Sequence, residues 1–186
     1  MPKYESEHFV DTQQPVWNYS LMTDADIQNF QNGTHYSLYT IFGNHQIEVV
    51  ATLGTYFAVW APSATAVFVT GNFNGWNELS HPLHVRPDSS GIWEGFIPDV
   101  AAGELYKYHI HGFEGVQLNK ADPFAHYAEK RPETASITWQ TNYHWSDQNW
   151  MEHRKKKNAL DAPISVYEMH LASWMRPIPS DEGSYN

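Results

Sequence analysis

Residues 54–76 read GTYFAVWAPSATAVFVTGNFNGW, and the fold turns on how they are read. In the opening run Tyr56, Ala58 and Trp60 alternate with Phe57, Val59 and Ala61 until Pro62 ends it, which predicts a strand. The stretch ATAVFVTG that follows is dense in β-branched residues, which suit a pleated, partly buried surface. Further runs bounded by Gly or Pro follow: GIWEGFIP, ELYKYHIHG, VQLN and ASITW. No long helical period separates them. The pattern predicts an all-β, immunoglobulin-like antiparallel sandwich over residues 47–140.

The flanks read differently. Residues 1–46 predict a short helical extension. In MTDADIQNFQNGTH, Thr23 and Asp24 are candidate N-caps, Ile27 and Phe30 lie three apart, and Gly33 is a stop. YSLYTIFGNH reads as a second helical turn ending at Gly43. Residues 141–163 read as a linker with a short helix, capped by Ser146 or Asp147 and ending in the basic run Arg154, Lys155, Lys156 and Lys157. That run is a solvated helix end rather than a nucleic-acid patch. In residues 164–186, ISVYEMH predicts a strand buried on both faces, followed by a loop rich in Pro, Ser and Gly.

Composition narrows the function. The chain has 186 residues, 41% hydrophobic and 17% charged, enough for one globular domain plus additional elements. A net charge of −10 argues against nucleic acid as a partner. No apolar run approaches the roughly 20 residues that cross a bilayer, so no membrane partner is expected. The opening MPKYESEHFVDTQQ has no apolar core of a signal peptide. Cysteine is absent, which excludes thiol chemistry and fits a cytoplasmic location.

Catalytic and metal chemistry find little support. His109 and His111 share a strand face, and His81 and His84 flank a turn, but neither pair has the convergent spacing of a metal site, so no metal is expected. There is no nucleophile elbow, phosphate loop or dinucleotide fingerprint, so no cofactor is expected. Glycosidic chemistry needs two facing carboxylates. Glu168 sits in the strand predicted to be buried, Glu94 alternates with apolar residues, and Asp122 precedes Pro123 in a turn. They do not read as a pair, and no catalytic residue is assigned.

Aromatic residues are abundant: eight Trp, eleven Tyr and nine Phe. Such rings build sandwich cores, and flat rings also suit the C–H faces of pyranoses. The loop GNFNGWNELSHPL joins both possibilities. Asn72, Asn74, Gly75 and Asn77 make a turn that tolerates positive φ, leaving Phe73 or Trp76 exposed as a stacking platform or folded back as a plug. One ring covering ~40 Å² of sugar contributes about 1 kcal/mol, so a single-platform site binds in the millimolar range or more weakly.

These residues resemble a known family. FAVWAPSATAVFVTGNFNGW, GIWEGFIPDV, GELYKYHIHG, KADPFAHYAEKRPETASITW and WMEHRKKKNALDAPISVYEMHLASWMR follow one another as in the N-terminal region of glycogen branching enzymes, and LMTDADIQNFQNGTHYSLYTIFG extends the resemblance. It implies that residues 47–140 are a family-48 carbohydrate-binding module. It also implies that PISVYEMHLASW is the first strand of a glycoside hydrolase family 13 (β/α)₈ barrel, of which the remainder, and every catalytic residue, is missing here. The implied enzyme cleaves an α-1,4-glucan and transfers the segment to a 6-hydroxyl. The implied partners are α-1,4-glucan and that barrel. Trp76 and Lys107 match a platform Trp and Lys of glycogen-binding relatives. The second platform Trp would fall at residues 116–120, where VQLNK has no aromatic. Trp60 and Trp93 read as core, and Ala172 stands where the family has Gly. A stand-alone glycogen-binding or regulatory module, or a debranching-type relative, is the alternative implication.

Overall fold

The computed structural model describes residues 10–170 and Trp174. The chain forms two compact units, Met1–Thr141 and Asn142–Asn186. The first is a sandwich of two antiparallel sheets. The runs read as strands appear as β2 (Thr52–Trp60), β3 (Ala66–Gly71), β5 (Ile92–Pro98), β6 (Leu105–His111), β7 (Gln117–Lys120) and β9 (Ser136–Ile137). Three strands escape sequence reading: β1 (Gly43–Val49), β4 (His84–Val85) and β8 (Tyr127–Ala128). The first sheet has the order β1-β2-β5-β4. The second has the order β3-β6-β9-β8, with β7 also paired to β6. β9 takes the start of β6, and β7 takes its end.

Between the sheets Phe57, Val59, Val67, Val69, Ile97, Tyr106 and Tyr108 form one apolar core. A second core lies on the other face of the first sheet, where Tyr56, Ala58, Ile92 and Phe96 meet Trp17, Met22, Ile27, Ile41 and Phe42. The double alternation of β2 therefore has a physical cause: both of its faces are covered. The segment before residue 43 is the second cover. Trp17 exchanges backbone hydrogen bonds with Phe96 at 2.7 and 3.0 Å. Val16 occupies the space beside Gly95, where an added Cβ would lie 2.5 Å from Val16 Cγ1.

Helix α1 (Asp24–Gln31) lies in that cover. Thr23 caps it: its hydroxyl accepts from the Asp26 amide at 3.2 Å, and Asp26 Oδ2 accepts from the Thr23 amide at 2.9 Å. A 3₁₀ turn, Leu38–Thr40, follows. The helical reading of YSLYTIFGNH stops there, because Gly43 opens β1 rather than closing a helix.

In the second unit, α2 (Gln148–Lys157) ends in the basic run, with its four cations in the last turn. Arg154 stacks over Trp150 at 5.8 Å from the ring centroid. The strand expected at 164–170 is not formed, since those residues enter no β-ladder. Ile164, Val166 and Tyr167 are more than two-thirds exposed. The reason is general: a strand exists only against a partner, and apolar composition alone supplies none. Ala172 and the loop after it lie outside the described residues.

Candidate carbohydrate-binding surface

β3 ends at Gly71, where an added Cβ would lie 2.2 Å from the Leu105 carbonyl oxygen. Glycine therefore lets the chain run close to β6 before turning away. The turn carries Gly75 at φ 61° and Trp76 at φ 59°, both in the left-handed region. For a bulky side chain that conformation costs on the order of 1–3 kcal/mol. Several hydrogen bonds hold it. The Trp76 amide donates to the Gly71 carbonyl at 2.8 Å, and its Nε1 donates to Asn72 Oδ1 at 2.9 Å. Asn74 fixes the base of the loop: its Oδ1 accepts from the Gly71 amide at 2.9 Å, and its Nδ2 lies 3.0 Å from the Val69 carbonyl and 2.9 Å from His81 Nδ1. Burial lowers the His81 pKa, favouring the neutral ring, whose Nδ1 also lies 2.7 Å from the Ser80 hydroxyl.

The two loop rings part company. Phe73 turns inward against the inter-sheet core and packs edge-on with His81 at 5.4 Å. Trp76 is 39% exposed, on a backbone fixed at both ends. Lys107 lies on β6 opposite Thr70, next to Gly71, the residue that holds the Trp76 amide. The ring and the ammonium group are thus carried at the same end of the second sheet. Lys107 Nζ donates to Thr134 Oγ1 at 2.9 Å.

At the position of the absent second ring, β7 is exposed along its length and lies beside β6, with Asn119 opposite His109. Asn119 Nδ2 donates to Glu78 Oε1 at 2.7 Å, tying β7 back to the Trp76 loop. Asn119 Oδ1 accepts from His109 Nδ1 at 2.8 Å, and His109 Nε2 lies 3.0 Å from His111 Nε2. With Nδ1 donating to Asn119, His109 Nε2 is left to accept from His111. Among the described residues no cluster of three metal-ligating side chains occurs. Glu78, Asn119 and Thr134 were invisible to sequence reading, because their place beside the platform comes from strand pairing and loop closure. The surface offers one flat ring, one cation, and amide, hydroxyl and carboxylate groups. These can address sugar hydroxyls, but they do not make a catalytic pair.

The acids sort otherwise than expected. Glu168 is exposed. Glu94 and Asp122 are the buried ones, at 4% and 6% exposure, and they face opposite sides of the first sheet. Glu94 accepts from Tyr56 at 2.6 Å and Ser20 at 3.0 Å and pairs with Arg86 at 2.5 Å, fastening the N-terminal cover to the sheet. Asp122 accepts from Tyr106 at 2.5 Å and Tyr108 at 3.2 Å between the sheets. Trp93 is core, but Trp60 is not: it is 56% exposed, with its Nε1 donating to the Ser90 carbonyl at 3.0 Å. At the last position of β2 it stands at the rim of the cover, edge-on to Phe30 of α1 at 6.1 Å between ring centroids.

Residues 41–125 match carbohydrate-binding module 48, the isoamylase N-terminal domain. The chain is 48% identical over 158 residues to the 1,4-alpha-glucan branching enzyme GlgB of Aromatoleum aromaticum, covering 85% of this chain and 24% of that one. The chain is thus similar to branching enzymes over most of its own length. The branching enzyme GlgB of Trichormus variabilis is 47% identical over 155 residues (83% of this chain, 20% of the relative), and that of Aquifex aeolicus 44% over 158 (85% and 25%). The chain thus spans about a fifth to a quarter of the length of these curated branching enzymes. Among solved structures, Klebsiella pneumoniae pullulanase complexed with maltotriose matches with 24% identity and a TM-score of 0.42, over 53% of this chain and 9% of that one. Within this chain, the module match takes in β1 to β7, including Trp76 and Lys107.

Proposed function

We propose that this chain is the α-glucan-binding accessory part of a cytoplasmic glycogen branching enzyme and carries no chemistry of its own. The longer enzyme cleaves an α-1,4 link and transfers the segment to a 6-hydroxyl through a covalent glycosyl intermediate, using residues of its barrel. Residues 164–170 serve as that barrel's first strand once the remaining strands pair with them.

The carrying observation is Trp76, 39% exposed on a strained but hydrogen-bonded turn at the end of the sheet where β6 carries Lys107, within a module-48 match. A pyranose stacks on the ring, while Lys107, Asn119 and Thr134 take its hydroxyls. A native gel containing glycogen tests this. The chain should migrate more slowly than in a glycogen-free gel, and Trp76→Gly should abolish most of the retardation. Equal retardation of both would overturn the assignment of the platform.

A further inference from the structure

A second concavity lies at the edge of the sandwich away from Trp76. The Trp76 loop leaves β3, at the edge where β3 and β4 lie together: the Leu83 amide donates to the Val67 carbonyl at 2.8 Å. At the opposite edge β1 meets the segments around β8 and β9. There the Trp139 amide donates to Asn44 Oδ1 at 2.9 Å, and Asn44 Nδ2 donates to the Tyr106 hydroxyl at 3.0 Å. Beside this junction opens a cleft of about 370 Å³, lined by residues that include His45, Gln46, His126, Trp139, Gln140 and Thr141.

The lining determines the ligand class. No Lys, Arg, Asp or Glu borders the cleft, so neither an anion nor a cation finds a counter-charge. Burial, acting first, lowers the His45 pKa, with the neighbouring His126 adding to it, so this ring is neutral near pH 7. Trp139 supplies a flat wall: it is 42% exposed and backed by Tyr127 at 4.9 Å between ring centroids. Around that wall stand side-chain amides, the hydroxyls of Thr40 and Thr141, and the imidazoles of His45 and His126; His45 Nε2 donates to the Phe42 carbonyl at 3.1 Å, which leaves its Nδ1 to accept. One apolar face with a rim of neutral hydrogen-bonding groups is the complement of a pyranose. The volume sits near the lower end of the range for small-molecule pockets, about 300–1,000 Å³, which suits a chain end or a short segment rather than a long run of sugar.

We infer that this cleft is a second α-glucan subsite, separate from the Trp76 platform and binding a neutral chain end against Trp139. The inference rests on the proposed glucan-binding function and deepens it. Two sites at opposite edges let one module hold two strands, or two parts of one.

Amide and indole NMR shifts of the full 186-residue chain during titration with maltotriose test it. In Trp76→Gly, shifts at residues 44–47 and 139–141 should persist. Trp139→Ala should weaken that response by about fivefold or more, the loss of roughly one stacking ring, while the Trp76 indole still responds. His126→Ala, at an exposed position, should weaken the same response and covers the case that Trp139→Ala does not fold. Shifts confined to residues 71–80, or shifts at 44–47 indifferent to both substitutions, would overturn the subsite while leaving the platform standing. A response at 44–47 with a silent Trp76 indole would do the reverse. Shifts at 44–47 absent from this chain and replaced by protection in a longer enzyme would mean that polypeptide, not sugar, fills the cleft, and would also overturn it.

Discussion

Trp76 is held against its own backbone preference, so the ring and the fold can be separated by substitution. Glycine removes the ring and suits φ 59°, at the cost of a freer unfolded chain. Trp76→Gly should therefore melt no lower than the parent in a thermal scan while losing glucan affinity. A drop of several degrees would mean the ring is structural. Glu94 is the opposite case. It is buried and accepts from Tyr56, Ser20 and Arg86, so Glu94→Gln should cost about 1–3 kcal/mol in urea unfolding and leave glucan binding unchanged. Titration separates the acids further. Burial would raise Asp26 and Asp88, but hydrogen bonds from Thr23 and His35, and from Ser90 and Arg86, outweigh it and hold both low. The unfolded chain then takes up their protons first, and stability falls as pH drops below the ordinary aspartate range. For Asp122 burial outweighs the donors, and its pKa is raised from 3.8. Its folded form keeps a proton that the unfolded form loses, so its contribution declines as pH rises from 3.8 through the raised value. Melting curves from about pH 3 to 7 should show Asp122→Asn flattening that upper decline while the acid-side loss remains.

At the scale of elements, legibility followed local pattern. β2, β3, β5 and β6 announce themselves through alternation closed by Gly or Pro, and Thr23 announces α1 through its cap. β1 does not, because GNHQIEV is largely polar and its buried Asn44 is satisfied only by Tyr106 and Trp139, far away in sequence. β4 and β8 are two residues long and carry no period. An exposed ring on the Asn72–Asn77 turn was legible from its turn residues, but that Trp76 rather than Phe73 is that ring was not, and Asn119 and Glu78 meet through a pairing that spans 41 residues. Residues 164–169 show the limit most directly, since their strand-forming composition enters no β-ladder and gives no strand. Amide exchange in this chain should accordingly be fast at 164–169 and slow in β2 and β5. Protection at Val166 equal to that of β2 would contradict this.

For the whole molecule, the two-faced first sheet has a consequence for function. Its outer face is spent on the N-terminal cover, leaving the second sheet and the sandwich edges as the surfaces on which the proposed glucan sites lie. The buried acids are consumed in holding that architecture, so incubation with amylose should yield no α-1,6 linkages by proton NMR. The most direct test of the account is the affinity for maltoheptaose, measured calorimetrically for the chain and for Trp76→Gly. The account predicts binding in the millimolar range that weakens about fivefold or more in the variant, with the fold retained. Undiminished affinity in the variant, or no binding by the parent chain, would contradict it.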